Sequence, residues 1–177
     1  MITRRRARTA TVLIICLWLA APMGVQAAEA GFISATVVKV YDGDTILARK
    51  DGREEKVRLI GIDCPEVWEN EKFVRDMKRE KRLEPEEVLA LGRAAKEFTE
   101  NACPPGTEVA LELDEEGRDK YGRLLAYVWL DGRMLNAELV RAGMAKLMTI
   151  PPDMKYAGRF RKLRDDARAS GRGIWKD

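Results

Sequence analysis

The chain has 177 residues, of which 34% are charged, and its composition is otherwise that of an ordinary globular domain with a sizeable core. It contains no histidine, which excludes the most common general base and the most common zinc ligand. The formal net charge is +3, but residues 1–27 hold four arginines and no acidic residue, so the rest carries −1 and overall charge does not indicate a nucleic-acid partner.

The first 27 residues predict a secretory signal peptide. Arginines precede an apolar run over residues 11–21, and Val25-Gln26-Ala27 is typical of a cleavage site. An uncleaved membrane anchor is the alternative, although the apolar run is short for a membrane span. We therefore expect a secreted or periplasmic protein in which residues 28–177 form one domain, a monomer with no stable membrane association after signal cleavage.

Three strands joined by tight turns are predicted at the start of this domain. Residues 33–40 are rich in β-branched side chains, residues 44–49 continue as a second strand, and residues 55–62 alternate between polar and apolar side chains. Asp42-Gly43 and Asp51-Gly52 are typical of the two turns that join them.

A charge-dense stretch and a helix follow these strands. For residues 66–83 a solvated loop is the simplest interpretation, and a partial helix is the alternative. Pro85, Glu86 and Glu87 suit the first turn of a helix, and its apolar side chains recur at three- and four-residue steps as far as Ala102.

The remaining chain adds two strands and two helices, predicted at residues 108–113, 124–130, 137–142 and 153–169. We expect Asn136 to cap the first of these helices. Five short, mostly antiparallel strands with a helix between the third and the fourth predict an α+β fold. The expected architecture is a five-stranded Greek-key β-barrel of the OB-fold type with three α-helices.

The turn at Asp42-Gly43-Asp44 carries one more carboxylate than a hairpin turn needs. The simplest interpretation is a hairpin with a solvated Asp44, and the alternative is a hard oxygen ligand at the mouth of the sheet. After removal of the signal, Cys64 and Cys103 remain, and whether they form a disulfide stays open. No histidine is available to activate either thiol as a nucleophile.

Charged residues stand at the ends of apolar strands in three places, and together they supply what phosphodiester hydrolysis requires. Asp44 and Asp63 are candidate ligands for a hard cation such as Ca²⁺ or Mg²⁺. Arg58 and Arg123 are candidate phosphate-binding side chains, because a guanidinium bonds two oxygens at once. Glu66 is the candidate for orienting or deprotonating a water. Taken singly, each residue has a simpler structural interpretation.

Five short motifs occur in order along the domain: Tyr41-Asp-Gly-Asp-Thr45, Val57-Arg-Leu-Ile-Gly-Ile-Asp-Cys-Pro-Glu66, Asp119-Lys-Tyr-Gly-Arg-Leu-Leu-Ala-Tyr127, Leu135-Asn136 with Leu139-Val-Arg-Ala-Gly143, and Gly173-Ile-Trp175. In this combination the chain resembles the thermonuclease family, the staphylococcal-nuclease-like domain. The resemblance implies an OB-fold barrel with three helices. It also implies an endonuclease, a hydrolase that cleaves DNA and RNA with Ca²⁺, breaks the bond to the 5′ oxygen and leaves 3′-phosphates.

The same resemblance implies a metal site. Asp44 and Asp63 would bind Ca²⁺ with their carboxylates, and Cys64 would bind it with its backbone carbonyl. Asp42 and Thr45 would support these ligands without touching the metal.

The resemblance also implies a phosphate site. Glu66 would act on the attacking water, and Arg58 and Arg123 would hold the phosphate, with Arg123 also helping the leaving oxygen. Lys120 and Tyr121 would contact a neighbouring phosphate of the DNA or RNA substrate.

Two features depart from the family pattern. Residues 145–152 contain none of the tyrosines that contact the nucleotide in the best-known members, and residues 66–83 form a longer stretch than expected. A non-catalytic OB-fold module that binds nucleic acid is the main alternative; it predicts loss of part of the acidic and basic set, all of which is present. An exported domain that uses the metal only for structure is a second alternative, but it has no need of the two arginines.

Overall fold

The computed structural model describes residues 31–79 and 83–176 of the chain. The predicted signal peptide, residues 1–27, lies outside the described residues and stays a prediction. Among the helices of the described part, none is long and apolar enough to cross a membrane.

The described residues form eight strands, four α-helices and one 3₁₀ turn. The strands are β1 (Phe32–Asp42), β2 (Thr45–Lys50), β3 (Arg53–Leu59), β4 (Gly61–Asp63), β5 (Glu108–Glu112), β6 (Leu124–Leu130), β7 (Arg133–Met134) and β8 (Lys146–Met148). The helices are α1 (Glu71–Arg79), α2 (Pro85–Ala102), α3 (Leu135–Arg141) and α4 (Ala157–Ala169), and the 3₁₀ turn is Gly173–Trp175.

Five of the strands close into a barrel. They pair in the order β3-β2-β1-β5-β6, and β6 returns to pair with β3, with Val57 opposite Leu124 and Leu59 opposite Ala126. This last pairing is parallel, whereas the others are antiparallel, as a Greek-key barrel of this size requires. The predicted α+β fold with a five-stranded barrel of the OB-fold type is confirmed, and its three predicted helices are α2, α3 and α4.

The barrel interior is filled by alternate side chains of these strands. Val37, Ile46, Val57, Leu111 and Val128 are each 1% exposed or less. Burial of such a side chain contributes roughly 1.5–3 kcal/mol. The β-branched residues that predicted strands are therefore the residues that stabilise the barrel.

The prediction of a solvated loop over residues 66–83 is wrong for its central part, which is α1. The Asn70 side chain accepts a hydrogen bond from the backbone N–H of Phe73 at 2.9 Å, as an N-cap residue does. Phe73 then packs inward and is 5% exposed. Among residues 71–78 of this helix only Phe73 is buried, so its apolar periodicity is too weak to stand out from the surrounding charges. The side chain of Arg79 and residues 80–82 lie outside the description.

The predicted capping role of Asn136 is also wrong. Asn136 lies inside α3, fully buried, where its Oδ1 accepts from the backbone N–H of Val128 at 2.9 Å and its Nδ2 donates to the carbonyl of Ile60 at 3.0 Å. It thus ties α3 to β6 and to the link between β3 and β4. The last helix begins at Ala157 rather than at residue 153. Asp153 instead forms a β-bridge with Ile150, and its side chain accepts the backbone N–H of Glu116 at 2.8 Å.

We expect Asn136→Ala to lower the free energy of unfolding by about 2–4 kcal/mol, because it leaves a buried N–H and a buried carbonyl without partners. Urea unfolding followed by circular dichroism measures this. Asn101→Ala, on the exposed surface of α2, is the matched control and should change stability by less than about 0.5 kcal/mol. Equal effects of the two substitutions would contradict the role of Asn136 in tying α3 to the barrel.

Candidate functional site

Helix α2 fixes the Asp42–Asp44 turn from outside the barrel. The hydroxyl of Thr99 donates to the carbonyl of Gly43 at 2.8 Å. A Cβ atom at Gly43 would lie 2.8 Å from the Cβ of Ala95 and 2.8 Å from the Sγ of Cys64, so only glycine fits there. The turn is therefore wedged between the helix and the segment that follows β4.

Asp44 is buried, 5% exposed, rather than the solvated residue of a simple hairpin. Its Oδ2 accepts the backbone N–H of Cys64 at 2.6 Å, and its Oδ1 accepts the hydroxyl of Thr45 at 3.2 Å. Its own backbone N–H donates to Asp42 Oδ1 at 3.0 Å. Burial, followed by repulsion from Asp44, raises the pKa of Asp42 to about 7.

Arg58 bridges the two predicted carboxylate ligands. One Nη forms an ion pair with Asp44, and the other donates to Asp63 Oδ1 at 3.0 Å. The arginine side chain is only 7% exposed. Burial opposes its charge, but Asp44 and Asp63 outweigh that effect and raise the pKa of Arg58. Burial, reinforced by the charge of Asp44, raises the pKa of the Asp63 carboxyl against the pull of Lys72.

A second cation, Lys72 of α1, lies on the other side of this cluster. Its Nζ is 3.3 Å from Asp63 Oδ1, 2.8 Å from Glu66 Oε1 and 3.3 Å from Asp76 Oδ2. It also donates to the backbone carbonyl of Cys64 at 3.2 Å. Burial opposes the ammonium form, but the charge of Asp63 and the contacts with Glu66 and Asp76 outweigh it and raise the pKa of Lys72.

Glu66 is placed by a close approach of its backbone to α2. A Cβ atom at Gly92 would lie 2.1 Å from the Glu66 carbonyl oxygen, so the helix must have glycine where the chain crosses it. The Glu66 carboxylate is held at both oxygens, by Lys72 and by the Nδ2 of Asn70 at 2.7 Å.

Asp119 shapes the loop that carries the other predicted phosphate contacts. Its Oδ1 accepts the backbone N–H groups of Tyr121 at 2.9 Å and Arg123 at 3.0 Å, and its Oδ2 accepts Nε of Arg123 at 2.7 Å. Tyr121 is 73% exposed. Lys120 Nζ lies 5.0 Å and the Arg123 guanidinium carbon lies 5.6 Å from the centroid of its ring.

The two predicted phosphate-binding arginines line the same cavity. It has a volume of about 370 Å³, and Lys120 and Tyr121 also line it. A second cavity, of about 280 Å³, is lined by Asp63, Cys64 and Asp76, and Met148 borders both. Arg58 therefore connects the acidic cluster with the cavity that Arg123 faces.

The donor set suits a hard cation. Asp44, Asp63, Glu66 and Asp76 carry more negative charge than Arg58 and Lys72 balance. Among the described residues no three acidic, cysteine or histidine side chains converge on one metal position. The predicted set has two carboxylates and one backbone carbonyl, which are the ligand types that Ca²⁺ takes, with water completing the shell.

The question of a disulfide is answered, because Cys64 and Cys103 are both buried and free. The Sγ of Cys103 donates to the carbonyl of Thr99 at 3.2 Å. Burial raises the pKa of the Cys64 thiol well above its usual range and that of Cys103 to about 11. Neither thiol has the low pKa of a nucleophile.

Comparisons with known proteins identify the family of this chain. A family model described as staphylococcal nuclease homologue matches residues 56–177. This chain belongs to that family. The thermonuclease of Staphylococcus intermedius is 38% identical over 81% of this chain and 76% of its own length. The thermonuclease of Staphylococcus hyicus is 34% identical over 80% of this chain and 75% of its own length. Endonuclease YncB of Bacillus subtilis (strain 168) is 28% identical over 81% of this chain and 62% of its own length. The resemblance to the thermonuclease family is confirmed.

As a staphylococcal nuclease homologue, the chain brings its predicted site residues into two adjoining groups. The acidic group contains Asp42, Asp44, Thr45, Arg58, Asp63, Cys64 and Glu66, and the cavity group contains Lys120, Tyr121 and Arg123 with Arg58. Sequence reasoning missed Lys72, Asn70 and Asp76. A capping asparagine before a Lys–Asp pair at four-residue spacing was the available signal for a helix here.

We expect Gly92→Ala to lower the free energy of unfolding by about 1–3 kcal/mol, because the new methyl group pushes the Glu66 backbone away from α2. Chemical denaturation measures the change. Gly158→Ala is the matched control in α4, where a Cβ atom meets only Arg161 Nη2 at 3.9 Å. It should stabilise the protein by no more than about 0.5 kcal/mol through helix propensity, because Gly158 lies in the first turn of α4 and not in its interior. A gain from both substitutions would contradict the close approach.

Proposed function

We propose that the protein is an exported, Ca²⁺-dependent endonuclease that hydrolyses phosphodiester bonds in DNA and RNA and leaves 3′-phosphates. Its family and relatives make it a nuclease; the ion, the products and the export are our proposal. One observation carries it: Arg58 both binds the two candidate metal ligands and lines the cavity that Arg123, Lys120 and Tyr121 share.

Three groups would hold the ion: the carboxylates of Asp44 and Asp63 and the backbone carbonyl of Cys64. When bound, Ca²⁺ supplies positive charge against the phosphate oxygens. Thr45 and Asp42 keep Asp44 in place, through the hydrogen bonds to its side chain and to its backbone N–H.

The two arginines bind the scissile phosphate. A diester gathers negative charge on its non-bridging oxygens as it is attacked, and a guanidinium donates to two of them at once. Arg58 is pre-positioned by Asp44 and Asp63, and Arg123 by its Nε bond to Asp119. Arg123 also stabilises the charge that develops on the departing 5′ oxygen.

Glu66 acts on the attacking water. Without histidine, a carboxylate is the available base near the cluster. The water oxygen forms a bond to phosphorus and its proton passes to Glu66. The bond from phosphorus to the 5′ oxygen breaks, its electron pair leaves with that oxygen, and a proton from solvent completes the 5′ hydroxyl. Lys72 and Asn70 each contact one oxygen of Glu66. Because a nearby ammonium weakens a carboxylate as a base, loss of the Lys72 contact would favour this role.

Lys120 and Tyr121 bind the phosphate next to the scissile one, at the exposed rim of the cavity. Residues 145–152 contribute Met148 and Ile150 to that cavity instead of aromatic rings. The nucleobase of the substrate therefore meets a flexible apolar surface, which favours tolerance of different nucleobases over selection of one. Export rests on the N-terminal signal pattern of residues 1–27.

We expect plasmid DNA to be degraded by the purified protein with Ca²⁺ and to survive when EGTA removes the ion. The new ends should resist extension by a polymerase until a phosphatase removes their 3′-phosphates. Glu66→Gln is the control against a contaminating nuclease, and its rate should be at least ~10²-fold lower. DNA that is bound and shifted on a gel but never cut would instead favour the binding module.

We expect Arg123→Ala to lower the cleavage rate by about 10³–10⁵-fold with the fold intact, because a phosphate-binding arginine stabilises charge in the transition state. Asp119 still accepts two backbone N–H groups, so the loop should keep its shape. Arg123→Lys should recover little of the rate, since an ammonium lacks the fork of donors.

Arg49→Ala is the matched control for that experiment. Arg49 lies on β2, pairs with Glu54 at 2.8 Å and is half exposed, away from the residues that line the cavity. Its removal should change the rate by less than about twofold, as expected for an exposed ion pair. A near-normal rate in Arg123→Ala would remove Arg123 from the mechanism.

A further inference from the structure

Lys72 contacts the same oxygens to which the proposed function assigns the ion and the water. Its ammonium lies 3.3 Å from Asp63 Oδ1, 3.2 Å from the Cys64 carbonyl and 2.8 Å from Glu66 Oε1. Two of these groups are proposed Ca²⁺ ligands, and the third is the proposed base. One cationic side chain thus contacts both the proposed metal ligands and the proposed base.

We propose that Lys72 is an internal competitor of Ca²⁺, which holds Asp63, Cys64 and Glu66 in the metal-free protein and withdraws when the ion binds. This inference rests on the proposed function, from which it takes the Ca²⁺ ligands. An ammonium and a dication repel each other and compete for the same oxygens. Withdrawal of Lys72 also releases Glu66 Oε1, so binding of the ion and activation of the base are coupled.

Lys72, rather than Arg58, is the cation positioned to leave. Arg58 is 7% exposed, belongs to barrel strand β3 and lines the phosphate cavity, so the chemistry needs it in place. Lys72 is 27% exposed and comes from α1, outside the barrel. Its long, flexible side chain can move without any change in the sheet.

Helix α1 itself carries a carboxylate, that of Asp76, which can pair with the displaced ammonium of Lys72. Asp76 lies one helical turn beyond Lys72, and its Oδ2 is 3.3 Å from Lys72 Nζ. An ion pair at this spacing lies within one helix and needs no contact with the barrel. Phe73, 5% exposed, meanwhile anchors α1 to the rest of the protein. A change of the Lys72 side-chain conformation therefore suffices.

The first test compares Ca²⁺ affinity by isothermal titration calorimetry in the wild type, Lys72→Met, Lys72→Arg and Lys78→Met. Methionine has similar length without charge, so Lys72→Met should lower the Kd at least about tenfold. Lys72→Arg keeps the charge and should gain no affinity. Lys78 is exposed on the same helix, and Lys78→Met controls for a general loss of positive charge; it should change the Kd by less than about twofold.

The possible failures are distinguishable. A Kd for Lys72→Met equal to or weaker than that of the wild type overturns the competition but leaves the proposed enzyme untouched. An equal gain in Lys78→Met also overturns it, because the effect would then be unspecific. Failure of the wild type and every variant to bind Ca²⁺ contradicts the proposed function, and the competition falls with it.

A second test needs no variant. The wild-type protein is treated with an amine-acetylating reagent, with and without saturating Ca²⁺, and the modification of Lys72 and Lys78 is followed by peptide mass spectrometry. Lys72 should be modified slowly without the ion and at a rate close to that of Lys78 with it, whereas Lys78 should not respond. Protection of Lys72 that persists at saturating Ca²⁺ overturns the proposal.

Discussion

The guanidinium of Arg58 holds together a buried carboxylate, Asp44, and a partly buried one, Asp63, which would otherwise repel each other. Asp44 lies in the turn after β1, Asp63 ends β4, and Arg58 on β3 reaches both. The pairing of β2 with β3 puts Arg58 opposite Thr45, directly beside Asp44. Loss of one partner from such a buried pair costs about 3–5 kcal/mol, because a charge is left without compensation. The acidic cluster therefore depends on one side chain both for its stability and for its proximity to the cavity that Arg123 lines.

The barrel alone does not place this cluster, since α2 contacts two of the segments that carry it. Thr99 binds the turn at Gly43, and Gly92 lets the backbone of Glu66 lie against the helix. The two contacts lie about two turns apart on one helix, and they position the turn before Asp44 and the segment of Glu66 relative to each other. A rigid helix outside the sheet thus holds candidate site residues that lie on its loops.

The five barrel strands were predictable because each is short, rich in β-branched residues and bounded by turn residues. The site residues were predictable as candidates because they stand in local motifs at strand ends. The contacts that could not be predicted from the sequence join residues that are far apart in the chain. Asn136 bonds groups 8 and 76 residues away, and the Thr99 contact that buries the Asp44 turn spans 56 residues. Lys72 looked like one charge among many, because its four acceptors converge only in the folded chain.

The cluster has more carboxylates than cations, so its carboxylates repel one another when the proposed ion is not bound. Repulsion among them already shows in Asp42, where burial and the charge of Asp44 raise the pKa to about 7. Internal cations reduce that repulsion, and each ion pair that they form stabilises the metal-free state. By linkage, a contact that exists only in the metal-free state weakens ion binding by the same free energy with which it stabilises that state. Arg58 and Lys72 both contact Asp63 Oδ1, and Arg58 also pairs with Asp44, so each stabilises the metal-free state in this way. Under our proposal the buried Arg58 stays in place on β3, whereas the more exposed Lys72 withdraws when the ion binds. On the proposed function, the number and position of internal cations therefore affect Ca²⁺ affinity as directly as the ligands do.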